Sequence, residues 1–474
     1  MRRAACLLAM LASACSMEPA YVRPDPAIPP SWPVGDPYLA QAEIGLPVLN
    51  YQQVFTDPRL QTLITEALAN NRDLMIAAAN IAAAREQYRI QRADLLPTVQ
   101  AGASGTVSQT DSDAVKGTYQ AGLSVPSFEL DLFGRVRSMT HVQLQRYLAT
   151  EAGARSTRLT LVANVAGAWL DYAADSSLRL IAEQTAASAQ KSVQLTRLRL
   201  EGGIAPRTDL DQAEQILTSA EADLARQRTA AAQDVNALQL LVGAPIDPNL
   251  LAGSIDEAFG KIAPVPAGLD SYVLLRRPDV LQAEYQLRAA NAQIGAARAA
   301  LFPRVTLSAL LGIVTGGLFA WSAGADATYN IFQSGAGHAN VRLSQAQRNA
   351  AVATYQKAIQ TAFREVADAL ARRGTMNDEI AAVQRNQAAA ADNYTLTEAR
   401  YRNGIDPFLT VLVAQRSYYS AQQQMVLTKL TAAQNLVTTY QSIGGDTLLQ
   451  ATPVCQALPG DKTAAATSAL CSAR

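Results

Sequence analysis

Histidine is nearly absent from this chain of 474 residues: only His141 and His338 occur, and cysteine appears just four times. No His, Cys and Glu residues fall together at zinc spacing, which leaves metal chemistry without a ligand set. No serine or cysteine stands in a familiar relation to a histidine, so nucleophilic catalysis has no base, and the chain reads as no enzyme. Surplus charge is also lacking. Forty Lys and Arg balance 40 Asp and Glu, so no global field draws nucleic acid or an anionic surface to the chain. Beyond the N-terminus there is no run of 18 apolar residues, which removes any transmembrane helix. A membrane span would then have to be a closed β-barrel. Aromatics make up only 6%, whereas alanine fills long stretches, a mixture that favours helices packed at close range. Glycines at Gly102–Gly105 and Gly312–Gly317 lack both the Gly-Lys-Ser/Thr ending and the βαβ setting of a phosphate loop, and read as strand and loop glycine. Nothing calls for a cofactor or a metal, and the two histidines read as surface or lumen lining.

What is present begins at the N-terminus. Arg2 and Arg3 precede an apolar stretch from Ala4 to Ala14, the layout of a secretory signal. The stretch ends in Leu11-Ala12-Ser13-Ala14-Cys15, which looks like a bacterial lipoprotein processing site with Cys15 as the acylated first residue. The alternative is ordinary cleavage near Ala14 with Cys15 left as a thiol. Ser16 in the next place, by resemblance to sorted lipoproteins, points to the outer membrane. An acyl cluster anchors a protein to a surface without spanning it. Cys6 leaves with the signal, so Cys455 and Cys471 remain in the tail, either joined as a disulfide in an oxidising compartment or free.

An internal repeat organises the rest. Asn71-Arg72-Asp73-Leu74 resembles Arg277-Pro278-Asp279-Val280 at an offset of 206, and Leu96-Pro97 matches Phe302-Pro303 at the same offset. Gly203-Ile204 matches Gly404-Ile405, and Gly243 matches Gly444, both at 201. The chain therefore divides into a signal over 1–14, an extended segment over 15–56, a first repeat over 57–243, a linker over 244–275, a second repeat over 276–445, and a partly disordered tail over 446–474. Each copy opens with a helix (58–94; 277–300) that ends before Pro97 or Pro303. Two strands follow, then a long helix over 135–201 or 336–402. A glycine turn ends it, and a last helix runs to Gly243 or Gly444. At 1.5 Å per residue the long helices reach about 100 Å, a length suited to a coiled coil or a tube. Leu210, Ala213, Leu217, Ala220 and Leu224 form an apolar seam, repeated as Val411, Ala414, Tyr418, Ala421 and Met425. Leu159, Val162, Ala166, Trp169 and Ala173 form another on the first long helix.

The strands alternate. Over 321–331, Trp321, Ala323, Ala325, Ala327, Tyr329 and Ile331 share one face, and Ser322, Gly324, Asp326, Thr328 and Asn330 the other. Val305, Leu307, Ala309, Leu311 and Ile313 form a partner face. The first copy offers Tyr119, Ala121, Leu123 and Val125, and also Val99, Ala101 and Ala103. Such segments match transmembrane β-strands with aromatics near the interfaces, or else a half-buried soluble sheet. Four strands cannot close a barrel, for which about eight are needed, and open edges cannot face lipid. Other copies of the chain must complete it: two would give eight strands with a filled interior, three would give twelve and a lumen.

At this point the chain resembles the TolC/OprM family of outer-membrane efflux proteins, in its lipoprotein branch. The resemblance is carried by Tyr21-Val22-Arg23-Pro24, Arg277-Pro278-Asp279-Val280, Tyr401-Arg402-Asn403-Gly404, Leu412-Val413-Ala414-Gln415-Arg416-Ser417 and Tyr419-Ser420-Ala421-Gln422, taken in order and with the duplication. It implies a mostly α protein with a small β part. Its homotrimer joins a twelve-strand outer-membrane barrel to a twelve-helix periplasmic tube. It implies a lipid-anchored passive duct, exporting small molecules with a periplasmic adaptor and a proton-driven inner-membrane pump of the resistance-nodulation-division class. The turns with Gly203, Ile204, Gly404 and Ile405 would form the periplasmic tip, and Asp209 and Tyr401 would belong to the links that hold it closed. Where relatives often carry carboxylates, this chain has Thr410 and Val413, which implies a less acidic constriction. Asp406 stands where one relative is basic, so that closing bridge is in doubt. Seven scattered methionines argue against a copper-specific duct.

Arg197, Arg199, Arg207, Arg400 and Arg402 gather near the turns with Glu201, Asp209, Asp211, Glu398 and Asp406. They are either solvated helix ends or the surface that meets the adaptor, with Arg207 and Arg402 foremost. Two rival functions stay open: the outer-membrane duct of a type I protein secretion system, and a lipid-anchored periplasmic scaffold without a pore.

Overall fold

The computed structural model describes residues 16–39, 50–109, 116–266 and 270–445; Cys15, Cys455 and Cys471 lie outside them, as does the tail over 446–474. In chain order the elements are α1 (Tyr51–Val54), α2 (Pro58–Asn70), α3 (Arg72–Ala93), β1 (Gln100–Ser108), β2 (Lys116–Leu130), α4 (Arg135–Glu201), α5 (Arg207–Val242), α6 (Ile255–Phe259), α7 (Pro278–Ala299), β3 (Arg304–Val314), β4 (Leu318–Thr328), α8 (Ala336–Arg402) and α9 (Phe408–Ser442). Single 3-10 turns at Pro248–Leu250 and Ser271–Arg276 sit within the stretch expected to be a linker. The chain forms two compact units. One is drawn from residues up to 27, 78–153 and 279–358, the other from 28–77, 154–278 and 359 onward. No helix among the described residues is long and apolar enough to cross a membrane.

The first unit holds one antiparallel sheet in the order β1-β2-β3-β4. Its register places apolar residues opposite one another across every pair of strands. Ala101 faces Leu123, Leu123 faces Leu311 and Leu311 faces Trp321. Side chains alternate between the faces of a strand, so one face is almost wholly apolar. The other carries Ser104, Gln120, Thr306, Ser308, Asp326 and Thr328. A bulge between Val125 and Phe128, at Pro126-Ser127, shifts the parity by one and keeps Phe128 and Leu130 opposite Leu307 and Val305. Gly122 and Gly312 are paired where the strands approach closely: a Cβ on either would overlap a backbone carbonyl of the other strand. β4 runs over Leu318–Thr328 rather than 321–331, because its last partner is Arg304 and Pro303 before it has no N–H to extend the ladder. Val99 likewise precedes β1.

The second unit is helical. The seams read along α4, α5 and α9 are its buried faces: Val162, Ala166, Trp169 and Ala173 are fully covered, and Ala213, Ala414 and Ala421 nearly so. The helix expected over 58–94 is broken. Asn71 is extended, closes α2 through its N–H, and caps α3 with its side chain, which accepts from Asp73 and Leu74. Arg277, 206 residues on, is extended in the same way ahead of Pro278. The stretch expected as a linker is bound to α4: Trp169 Nε1 donates to the Leu250 carbonyl at 3.0 Å and Ser176 Oγ to that of Gly253 at 3.0 Å. The segment expected to be extended before residue 57 includes the short helix α1.

Candidate functional site

The two glycine turns share one design. Gly203 and Gly404 adopt φ of +70° and +75° with open space where a Cβ would stand, so the backbone conformation is what requires glycine. Ile204 N–H donates to the Arg199 carbonyl, and Ile405 N–H to that of Arg400, each at 2.9 Å. Pro206 and Pro407 then precede the next helices. Ile204 and Ile405 project into solvent, 76% and 62% exposed. Arg207 and Arg402 are exposed beside them.

Below the turns the hairpin α4–α5 packs against the hairpin α8–α9. Val193 and Ala213 from the first join Tyr401, Phe408, Val411 and Leu412 from the second in one buried cluster. Tyr394 stacks on Tyr418 and its hydroxyl lies 3.2 Å from Ser188 Oγ, a hydrogen bond between hairpins. Of the expected gate residues, only Tyr401 belongs to this cluster. Thr410 and Val413 sit three residues apart on the exposed face of α9, and Asp209 is half-buried at the start of α5. Among the described residues the Asp209 carboxylate has no hydrogen-bonding partner, and the Tyr401 hydroxyl is buried without one. The two are not joined within the protomer.

Charges at the turns pair locally. Arg400 grips Asp406 with two hydrogen bonds of 2.7 and 2.9 Å, which hold the Asp406 carboxyl below its ordinary range. Arg402 pairs with Glu398, Arg197 with Glu214 and, at 4.0 Å, Arg207 with Asp211. Arg199 differs, its guanidinium lying 4.5 Å from the centre of the Tyr401 ring. The repeat offset aligns Arg199 with Arg400 but Ala205 with Asp406, so it marks Arg199 as lacking its counterpart's carboxylate without naming the ring it meets.

Two further clusters escaped the sequence reading. Glu284, its side chain only 3% exposed, binds Arg23 at 2.7 Å and Arg288 at 2.6 Å. It also accepts from the Tyr21 hydroxyl. His141, read as surface or lumen lining, is partly exposed and meets the Glu18 carboxylate at 3.0 Å, and this hydrogen bond raises the imidazole's pKa. The Tyr-Val-Arg-Pro segment is thus a docked strap in the first unit. In the second, Asp171 and Asp175 of α4 lie near Asp234 of α5. No group of three or more His, Cys, Asp or Glu among the described residues is arranged to hold a metal.

Comparisons with known proteins point in one direction. The family profile described as outer membrane efflux protein matches residues 63–244 and again 270–445. The antibiotic efflux pump outer membrane protein ArpC of Pseudomonas putida is 41% identical over 454 residues, covering 92% of this chain and 94% of that protein. The toluene efflux pump outer membrane protein TtgC, also of Pseudomonas putida, gives the same figures. Among solved structures, the MtrE outer membrane channel of Neisseria gonorrhoeae, in its open state, superposes with a TM-score of 0.83 at 33% identity, over 91% of this chain and 99% of that one.

Proposed function

The chain belongs to the outer membrane efflux protein family, and from that premise we propose that it forms, as a homotrimer, the passive exit duct of a tripartite efflux pump. One observation carries the proposal. The sheet β1-β2-β3-β4 ends in edge strands with no partner among the described residues, and its apolar face exposes Phe319, Trp321, Leu311 and Ile313. Lipid satisfies such a face but not the open edges, so the edges must pair with other copies. Three copies give twelve strands, enough for an open lumen lined by the polar face.

The helical hairpins then build a periplasmic tube of twelve helices, with both glycine turns at its tip. Tyr401, Asp209, Thr410 and Val413 belong to the gate there. The exposed Ile204, Ile405, Arg207 and Arg402 meet the adaptor, which couples the duct to an inner-membrane pump of the resistance-nodulation-division class. Cys15, as the acylated residue, anchors the chain to the outer membrane. ArpC and TtgC are named for antibiotics and toluene, which favours small molecules as cargo over a secreted protein. The outward-facing apolar sheet face favours a pore over a scaffold.

Conductance of the purified trimer in a planar bilayer tests the duct. Discrete channels that open further on Asp209→Ala support a tip-gated pore. Trimers that insert yet never conduct, in either form, refute it. Charge reversal at Arg402 or Arg207 is expected to restore drug susceptibility while trimers persist; unchanged resistance removes these residues from the adaptor contact.

A further inference from the structure

Arg199 and Arg400 occupy equivalent positions in the two copies, 201 residues apart, yet they do different work. Six residues after Arg400 stands Asp406, and the two close a two-pronged pair within their own turn. Six residues after Arg199 stands Ala205. With no carboxylate at that place in its own turn, Arg199 reaches the other hairpin. Its guanidinium covers the Tyr401 ring at 4.5 Å, with Nη1 3.4 Å from the Tyr401 carbonyl and Nη2 3.5 Å from that of Arg402. Those hydrogen bonds are long and weak; the ring contact is the stronger part. The carbonyls belong to the last turn of α8, where the helix dipole favours a cation; that of Tyr401 also accepts from the Gly404 N–H at 2.9 Å. The contact runs one way, because Leu200 fills the first-copy position equivalent to Tyr401 and offers no ring.

The other charged pairs at the turns, Arg197 with Glu214, Arg207 with Asp211 and Arg402 with Glu398, stay within one hairpin. Arg199 is the charged group there that spans the two. The buried Tyr401 hydroxyl has no partner among the described residues, so the tyrosine takes part through its ring and carbonyl. From this we infer that Arg199 is a positioning residue of the gate: it clasps the second turn to the first through Tyr401, so that the two turns of a protomer move as one body. The inference rests on the tip-gated reading given above.

The test is single-channel recording of inserted full-length trimers carrying Arg199→Ala, Arg199→Lys, Tyr401→Leu, the Arg199→Ala/Tyr401→Leu pair, and Arg400→Ala, with trimer melting measured on each. Losing a cation–ring contact is expected to raise open probability about fivefold in Arg199→Ala. Tyr401→Leu should match it, and the double variant should add nothing, since both remove one interaction. Arg199→Lys should recover part, because an ammonium can sit over the ring but cannot fork to two carbonyls. Arg400→Ala should change opening less than about twofold, its pair being confined to one exposed turn. A gating wild type whose opening is unaltered by Arg199→Ala overturns the clasp alone, even where melting falls. Equal effects from Arg199→Ala and Arg400→Ala also overturn it, as a general loosening of the tip. Inserted trimers that never conduct in any form remove the duct itself, and the clasp with it.

Discussion

The Arg277 guanidinium donates to the Ser442 carbonyl at 2.5 Å, closing the C-terminal end of α9 onto the start of α7. Its repeat counterpart, Asn71, donates to the Leu241 carbonyl at 2.8 Å, and Leu241 is the counterpart of Ser442. Each copy of the repeat is therefore tied shut at the same place, by an arginine in one and an asparagine in the other. Arg277 has a second bond, to Glu365 at 2.9 Å, and its side chain is 9% exposed. Arg277→Ala should cost about 2 kcal/mol, the scale for losing hydrogen bonds from a charged donor. Arg277→Lys should recover little of it, because a single ammonium cannot hold both acceptors in the guanidinium's planar geometry. Chemical unfolding of the two variants measures this; equal stability to wild type would mean the tie is redundant.

Much of the helical frame was legible. α4 and α8 occupy the residues read for them, because glycine in the left-handed region ends each helix and an alanine-rich seam marks its buried side. The break at Asn71 was not, since a single asparagine in an apolar-periodic stretch serves a helix surface or a cap equally well. The end of β4 was misplaced because Tyr329 and Ile331 continue the alternation past Thr328, where the pairing stops. Alternation records side-chain direction and carries no signal for a missing backbone partner. The two glycine turns were legible, whereas the contact of Arg199 with Tyr401 was not: it depends on Ala205, a residue noticeable only by what its counterpart Asp406 does.

At the Gly122–Gly312 pair the two strands approach so closely that neither position has room for a Cβ. Gly122→Val is expected to abolish trimers in outer-membrane fractions, because its Cβ would meet the Leu311 carbonyl on backbone that cannot yield without breaking the ladder. A normal yield of heat-modifiable trimer from this variant would show that β2 and β3 can separate there at little cost.

The two faces of the sheet should respond oppositely to charge. Leu311 lies on the apolar face opposite Trp321, and Ser322 on the polar face opposite Leu310. Arginine at position 311 should cost roughly 2–4 kcal/mol if that position lies near the bilayer midplane, and much less at position 322 if that face lines a wet lumen. Comparing assembled Leu311→Arg and Ser322→Arg trimers in outer-membrane fractions checks this. Equal assembly would contradict the assignment of faces.

Glu284 holds the N-terminal strap. Burial alone would raise its carboxyl, but hydrogen bonds and charge from Arg23 and Arg288 outweigh it and keep the group below its usual range. A carboxyl lowered in this way stabilises the fold above its unfolded pKa, and that contribution is lost as pH falls through the lower folded value. Glu284→Gln should speed hydrogen exchange in residues 16–27 at pH 7, and the gap from wild type should shrink under acid. Unchanged exchange at pH 7 would mean that other contacts, such as Asn291 with the Pro19 carbonyl at 2.8 Å, hold the strap unaided.

Asp234 behaves in the opposite sense. Burial first, and then the charge and hydrogen bond of Asp175 with a smaller effect from Asp171, push its carboxyl up to about 7. One of its oxygens is buried without a partner, and the neighbouring Asp171 also has a raised pKa, relieved in part by a hydrogen bond from Gln434 of α9 at 2.6 Å. A carboxyl raised on folding binds its proton more tightly in the folded state. The stability it confers is therefore greatest below its unfolded pKa near 4, declines as pH climbs towards about 7, and changes no further above that. Asp234→Asn removes the titration while keeping the shape. It should raise the trimer's melting temperature by about 2 °C at pH 8, the scale of a modest gain in a protein of this size. At pH 3.5, below its ordinary value, where the carboxyl largely holds its proton in folded and unfolded chains alike, the two should melt nearly together. An equal rise at both values would trace the gain to packing and leave the carboxyl pair without a part in pH dependence.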